Sequence, residues 1–205
     1  MDPTRRSRRS GTDPCARAGR WRLDVEHDAA RLRVVLDVEA EILLARGRPA
    51  ESLAAAEKAY AARAELGIVN QYVKEALVCA LQAGFALRDR DTVERLLREI
   101  DALRPGELTP YLQAHGARAA AGLAAMRGEG DRVAPGFRAA ADLFRELEMP
   151  YWLAVTLLEH AEWTSSHDGP GEARPLIEEA AEVFERLQAR PWIERAALAR
   201  ALVPA

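Results

Sequence analysis

The chain has 205 residues, of which 49% are hydrophobic and 30% are charged, and this composition is typical of a globular protein rather than a disordered one. Its net charge of −3 argues against a general nucleic-acid-binding domain, which usually carries a basic excess. The two cysteines, Cys15 and Cys79, are too few and too far apart for a disulfide framework or a structural zinc site.

The N-terminal segment, residues 1–20, is rich in Arg, Ser, Gly and Pro and carries six arginines against two aspartates. This composition predicts a disordered basic tail. An arm that binds nucleic acid or an acidic partner is the alternative interpretation of the same arginines. The remainder, residues 21–205, is predicted to be one helical-repeat domain.

Signals for export or membrane insertion are missing from the sequence. No stretch approaches the ~18 consecutive apolar residues of a membrane span. The paired arginines near the N-terminus are not followed by an apolar segment, which argues against a secretory signal. With two isolated cysteines, the chain is predicted to be cytoplasmic and to have no membrane partner.

From Trp21 onward the hydrophobic pattern is helical, without sustained strand-like alternation or hairpin turns. Asn70 and Thr109 stand at expected N-caps, and Pro110, Pro150 and Pro191 stand where a helix tolerates proline in its first turn. The predicted fold is all-α with about nine helices, at residues 24–46, 49–66, 70–87, 91–103, 110–127, 131–148, 150–165, 171–189 and 191–202.

The start signals recur with a nearly constant spacing. Asn70, Pro110, Pro150 and Pro191 follow one another at almost equal intervals of about 40 residues. A fixed period of this size is typical of repeat architectures. Each period holds two predicted helices, so the sequence predicts about four stacked helix pairs.

Side chains repeat with the same period in the C-terminal half. One period apart, Ala140 corresponds to Ala180, Phe144 to Phe184, and Trp152 to Trp192. Alternation of small and large apolar side chains suits helices that interlock closely. Before residue 110 the repetition is faint, since the second unit has only Leu96, Ile100 and Leu103 at the corresponding positions.

The order small residue, aromatic residue, apolar residue and proline resembles the second half of a tetratricopeptide repeat. Ala180, Phe184, Leu187 and Pro191 match this order, and so do Ala140, Phe144, Leu147 and Pro150. The resemblance implies a right-handed superhelical solenoid in which the first helix of each pair lines a concave binding face. The first-helix signature is weaker, although Leu112 and Gly116 match it.

Residues 143–198 resemble, more narrowly, the C-terminal repeat region of large bacterial signalling proteins. Those proteins join such repeats to a P-loop ATPase and to a nucleotide cyclase, a kinase or a DNA-binding transcriptional activator. The resemblance implies that this chain corresponds to the repeat region alone, because no glycine-rich phosphate-binding loop is present. The activities of those neighbouring domains are therefore not carried over to this chain.

The sequence offers weak material for catalysis, so the chain is predicted not to be an enzyme and to use no cofactor. The histidines His160 and His167 have an acidic neighbour, but His160 lacks a second ligand four residues away on its helix. Ser165 and Ser166 stand near a predicted helix end, where serine usually bonds the local backbone. The tryptophans are predicted to pack between repeat units. The alternative is that they form an aromatic box around a ligand.

A concave face of stacked helix pairs is the surface that such proteins use for binding. The polar residues predicted to line it lie on the first helix of each pair. The alternative interpretation is that these residues form the solvent-exposed side of ordinary amphipathic helices and bind nothing. They are Gln71, Lys74, Glu75, Gln82, Gln113, Arg118, Glu159 and His160.

The leading hypothesis is a non-catalytic scaffold of a bacterial signalling system that captures a protein or peptide partner, or an adjacent domain, in this groove. The second hypothesis is a regulatory region in which the repeats sense a small effector and report to an ATPase, adenylate cyclase or transcriptional activator domain. An enzyme is the third and least favoured hypothesis, since it needs convergent titratable side chains in one pocket.

Overall fold

A computed structural model describes residues 38–167 and 170–203, with the side chain of residue 170 excepted. The predicted tail at residues 1–20 and the predicted start of the domain at residues 21–37 lie outside these residues. Within them all regular secondary structure is helical, as predicted. Residues 38–45 form α1, and nine helices follow: α2 (Pro49–Tyr60), α3 (Arg63–Leu66), α4 (Gln71–Leu87), α5 (Arg90–Asp101), α6 (Pro110–Arg127), α7 (Gly130–Glu146), α8 (Pro150–His167), α9 (Pro170–Arg186) and α10 (Arg190–Leu202).

Local chemistry explains where several helices begin. The side chain of Asn70 accepts a hydrogen bond from the backbone N–H of Tyr72, and that of Thr109 accepts one from Leu112. Asp89 caps α5 in the same way, by accepting from the backbone N–H of Thr92. Such bonds satisfy backbone donors that have no partner in the first turn of a helix. Both predicted N-caps are therefore confirmed.

The helix ends repeat in backbone conformation as well as in sequence. Arg88 and Gly128, just after α4 and α6, lie one repeat period apart and both have positive φ. Glu148 and Gln188, which follow α7 and α9 by two residues, are separated by the same period and have φ of 53° and 54°. A left-handed residue ends a helix sharply. The chain thus reverses direction at corresponding points of successive units.

One predicted helix is interrupted. The sequence predicts a single helix at residues 49–66, whereas the structure ends α2 at Tyr60 and starts α3 at Arg63. Between them the backbone N–H groups of Ala62 and Ala64 bond to carbonyls three residues back instead of four. This tighter turn breaks the α-helical ladder. The other predicted bounds agree with the described helices within a few residues.

The helices pack mainly against their neighbours in sequence. From α4 onward each helix contacts the next one, and α2 packs against α4. The contacts α4–α6 and α8–α10 connect helices that are two apart along the chain. Short connections of this kind join successive helices in an antiparallel arrangement.

Two main groups of buried side chains form the core. The first core cluster runs from Ala40 on α1 to Leu123 on α6, and it is built mostly of alanine, leucine, valine and isoleucine. The second core cluster joins Ala114 on α6 to residues 141–203 and contains the buried rings of Phe144 and Phe184. Helix α6 contributes to both clusters and so connects the two halves.

The residues that repeat in sequence occupy equivalent surroundings. Ala140 and Ala180 are fully buried, and so are Phe144 and Phe184. Phe144 stacks on Trp152 and Phe184 stacks on Trp192, with interplanar angles of 25° and 21°. Within the described residues, no helix has the length and apolar character needed to cross a membrane.

Candidate binding groove

An open groove of about 760 Å³ lies between the two ends of the helical array. Its lining side chains come from α1, α4, α6, α8 and α10, and none of the described lining residues lies on α2, α5, α7 or α9. Alternate helices therefore face the groove, while those between them lie behind. The residues that line it are Glu41, Leu44, Ala45, Cys79, Gln82, Phe85, Ala86, Arg118, Tyr151, Trp152, Glu159, Pro191, Trp192 and Arg195.

Helical periodicity places these side chains on common faces. On α4, Cys79, Gln82 and Ala86 are spaced by three and four residues and form one stripe along the helix. On α8, Trp152 and Glu159 are separated by two helical turns. Each helix thus presents one continuous strip, partly polar and partly apolar, to the groove.

An ion pair joins α6 to α8 in the floor of the groove. Arg118 donates from Nε and Nη2 to the two carboxylate oxygens of Glu159, at 2.7 and 2.6 Å. Its guanidinium also lies over the ring of Trp152, 5.4 Å from the ring centroid. The Arg118 side chain is only 10% exposed. Two parallel hydrogen bonds fix both position and orientation, so this pair is a rigid part of the floor.

A second ion pair of the same type joins α8 to α10. Arg195 donates from Nε and Nη2 to both oxygens of Glu162, at 2.7 and 2.6 Å. Its guanidinium lies 5.0 Å from the ring centroid of Trp192. The two pairs connect α6, α8 and α10 in succession, and each arginine charge is balanced by a glutamate.

Aromatic rings form the apolar part of the groove. Tyr151 meets Trp152 and Trp192 edge to face, with ring centroids 5.0 and 6.0 Å apart. Burial, the largest influence, raises the pKa of Tyr151 above its ordinary value of 10. The hydroxyl therefore stays neutral and available for hydrogen bonding across the physiological range.

The opposite wall carries a carboxylate of different character. Glu41 on α1 forms no ion pair with any other described residue. Burial raises the pKa of Glu41 above its usual value of 4.5, and the negative charge of Glu75 adds to this effect. A carboxylate without a cationic partner is a favourable place for an incoming positive charge.

Three of the eight predicted groove residues line the groove: Gln82, Arg118 and Glu159. Gln71 and Glu75 are hydrogen-bonded to each other at the N-terminal end of α4, beyond the lining residues. Lys74, one residue before Glu75, has its ammonium 5.6 Å from the ring centroid of Tyr111.

The remaining two residues lie elsewhere. Gln113 is exposed and is not part of the lining. His160 is buried, and its ring stacks on Phe137 of α7 with centroids 5.6 Å apart. Adjacent residues of a helix point about 100° apart, so Glu159 faces the groove while His160 faces α7.

A buried histidine supports the aromatic wall from behind. His115 lies among Tyr111, Phe144 and Trp152, with ring centroids 4.5 to 4.9 Å away. Its Nε2 has no hydrogen-bond partner within the structure as described. Burial and then the positive charge of Arg118 hold the pKa of His115 well below its ordinary 6.5. The ring is therefore neutral and acts as a packing element.

Several groove residues were not predicted: Glu41, Tyr151 and Arg195 have no signal in the sequence that separates them from other surface residues. Trp152 and Trp192 were predicted as packing residues, with a ligand box as the alternative. In the structure each of these rings stacks on a buried phenylalanine and also lines the groove.

The part of the chain that the structure describes contains no group of three His, Cys, Asp or Glu side chains arranged to hold a metal ion. Ser165 and Ser166 both donate to the backbone carbonyl of Glu162, the local role predicted for them. Comparison with known proteins gives no further guide, since no protein-family model, curated protein or solved structure matches the chain.

Proposed function

We propose that the protein is a non-catalytic helical-repeat scaffold, a tetratricopeptide-like right-handed solenoid, that holds a peptide segment in the groove. The segment belongs to a partner protein or to an adjacent domain of a bacterial signalling system in the cytoplasm. One observation carries the proposal: the lining residues come from α1, α4, α6, α8 and α10 and skip the helices between them. An inner face built from alternate helices is what stacked helix pairs present to a ligand.

The charges of the groove favour a segment of particular chemistry. Arg118 and Arg195 are each bound by a carboxylate, whereas Glu41 has no cationic partner among the described residues. Across the groove, Tyr151 and Trp192 offer an apolar surface. The best fit is a peptide with a lysine or arginine that pairs with Glu41 and an apolar side chain that packs on the rings.

Selection of random peptides on the purified protein tests this proposal, followed by fluorescence anisotropy with the selected sequences. We expect a basic residue next to an apolar one to be enriched. Glu41→Gln should weaken binding by about tenfold or more, because it removes the charge that the basic residue needs. Glu178→Gln, at an exposed position on α9, is the matched control and should leave the affinity unchanged.

Two outcomes contradict the proposal. Selected peptides that bind the Glu41→Gln variant and the wild-type chain equally well would place the binding surface outside the groove. Selection that yields no sequence above background would argue against peptide binding altogether.

The size of the groove favours one alternative, a small effector that the repeats report to a neighbouring domain. A volume of about 760 Å³ lies within the range of roughly 300–1,000 Å³ found for small-molecule sites. A metabolite panel in a thermal-shift assay separates the two functions. A compound that raises the melting temperature of the wild-type chain, but not of a variant with a smaller ring at Trp192, would support the effector.

A further inference from the structure

The charge on one wall of the groove is not balanced by any described side chain. The two arginines of the lining are each bound by a glutamate, whereas the exposed Glu41 forms no ion pair with another described residue. The negative charge of Glu75 also acts on Glu41, and Glu75 accepts a hydrogen bond from the uncharged amide of Gln71. This wall therefore attracts a cation.

The sequence that precedes α1 carries a concentrated positive charge. Residues 5–9 are Arg-Arg-Ser-Arg-Arg, so four of these five side chains end in a guanidinium group. Glu41 lies on α1, the first described helix, so the chain itself ties this basic segment to the wall that has the unbalanced charge. A guanidinium group matches a carboxylate with two parallel hydrogen bonds.

The chain between residues 5–9 and Glu41 is long enough for the two to meet. A continuous helix over the predicted range 24–46 would place its first residue ~26 Å from Glu41 along the helix axis. Residues 10–23 span up to about 46 Å when extended, which exceeds that distance. A tethered segment meets its site at an effective concentration on the order of millimolar, so a contact too weak to form between separate molecules can form within one.

We propose that residues 5–9 of this chain occupy the groove when no partner is bound, with a guanidinium group on Glu41, and that a partner peptide displaces them. The inference rests on the proposed function, because both segments use the same site. Residues 5–9 contain no apolar side chain, so they leave the rings of Tyr151 and Trp192 uncovered. A peptide with a basic and an apolar side chain makes both contacts and binds more tightly. The basic segment thus excludes ligands that offer charge alone.

The test is paramagnetic relaxation enhancement in the full chain, with a nitroxide label on the native Cys15. Cys79 is buried and should stay unlabelled. We expect the amide of Ala86, in the groove lining, to relax faster than that of Ala139, on the exposed side of α7. The enhancement should persist when the labelled chain is diluted with unlabelled chain, because the contact forms within one molecule.

Three variants show whether charge holds the segment in place. Glutamine in place of all four arginines of residues 5–9 should abolish the enhancement at Ala86, and so should Glu41→Gln alone. Glu178→Gln, on the exposed face of α9, is the matched control and should leave it unchanged. Equal enhancement at Ala86 and Ala139, or enhancement that survives Glu41→Gln, overturns the proposal. Enhancement that appears on α9 and is lost in Glu178→Gln overturns it as well.

Peptide affinity separates this inference from the proposed function. The variant with four glutamines should bind a selected peptide about three- to tenfold more tightly than the wild-type chain, the gain expected when a competing segment fills about 70–90% of the sites. Equal affinities for the two chains would overturn the inference and leave peptide capture intact. Enhancement at Ala86 in a chain that binds no selected peptide would support the internal contact and remove the proposed function.

Discussion

The two halves of the molecule use different side chains to hold similarly arranged helices together. In the first core cluster, helices from α1 to α6 meet through alanine and branched aliphatic residues such as Leu77, Leu96 and Ile100. In the second, the junctions carry stacked rings, Phe144 on Trp152 and Phe184 on Trp192. A helix pair can therefore be closed either by many small contacts or by one large ring at each junction.

This difference explains why the repeat is visible in one half of the sequence and faint in the other. An aromatic ring fills a specific gap, so it recurs at the same position when the gap recurs. Aliphatic side chains of similar volume replace one another with little cost, and their exact positions drift. The positive-φ residues Arg88 and Gly128 show that the backbone period extends into the half where the side-chain period fades.

The largest expected effect comes from removing a ring at one of these junctions. Phe144→Ala should lower the free energy of unfolding by about 3–5 kcal/mol, because the ring is fully buried and leaves a cavity. Leu96→Ala, at a fully buried position of the first cluster, should cost less, near the lower end of about 2–5 kcal/mol. Urea unfolding followed by circular dichroism measures both changes.

Hydrogen exchange of the same variants sharpens this comparison. Phe144→Ala should increase amide exchange in α7–α10 more than in α2–α5, because each unit of a helical array depends mainly on its neighbours. Equal losses of stability for Phe144→Ala and Leu96→Ala would show that the rings contribute no more than the aliphatic residues.

A smaller effect is expected where α6 and α7 cross, between the two main clusters. An added Cβ at Gly136 would lie 2.9 Å from the Cβ of Ala121, closer than side chains approach. One repeat period earlier, the larger Leu96 and Leu81 occupy the corresponding positions. Gly136→Ala should destabilise the protein by about 1–3 kcal/mol through overpacking.

Gly171→Ala is the matched control, because nothing lies within 4 Å of a Cβ added at Gly171 in α9. It should leave the melting temperature unchanged or raise it, since alanine is favoured over glycine in a helix by about 0.5–1 kcal/mol. If Gly136→Ala also raised the melting temperature, the close approach of α6 and α7 would not depend on the missing side chain.

The sequence predicted the helices well because their ends are set by local chemistry. Asn70, Thr109 and the helix-starting prolines act within a few residues, so their effect can be read directly from the chain. The break after α2 was missed for the same reason. Ala61 and Ala62 are good helix formers, and no proline or glycine marks the position of the tight turn in the sequence.

The groove was predicted less completely because it depends on distant parts of the chain. The resemblance to a helix-pair repeat put polar residues of each first helix on the binding face, and these included Gln82, Arg118 and Glu159. It did not separate Glu159 from the adjacent His160. The partners Arg118 and Glu159 are 41 residues apart, and Glu41 faces α10 only through the arrangement of the whole array. Contacts of this kind follow from tertiary packing, and a single sequence does not specify them locally.

The smallest expected effect is a pH dependence of stability confined to the second half. The pKa of His115 lies well below 6.5 in the folded protein because of burial and of Arg118, and none of the described residues before α6 is a histidine. The unfolded chain takes up a proton at this residue near pH 6.5, whereas the folded chain does not. The stabilisation that comes from keeping His115 neutral should therefore be fully present above about pH 6.5. At lower pH the free energy of unfolding should decrease, by at most about 1.4 kcal/mol per pH unit.

Urea midpoints at neutral and mildly acidic pH, compared between the wild-type chain and His115→Leu, isolate this contribution. The variant keeps an apolar group among Tyr111, Phe144 and Trp152 and removes the nitrogen that has no partner, so its midpoint should fall less steeply on acidification. Hydrogen exchange should show the acid-sensitive opening in α6–α8 before α2–α5, because His115 packs against residues of α6, α7 and α8. Parallel pH profiles for the two proteins would mean that other groups control the acid response, and the aromatic half would then be no more acid-sensitive than the aliphatic one.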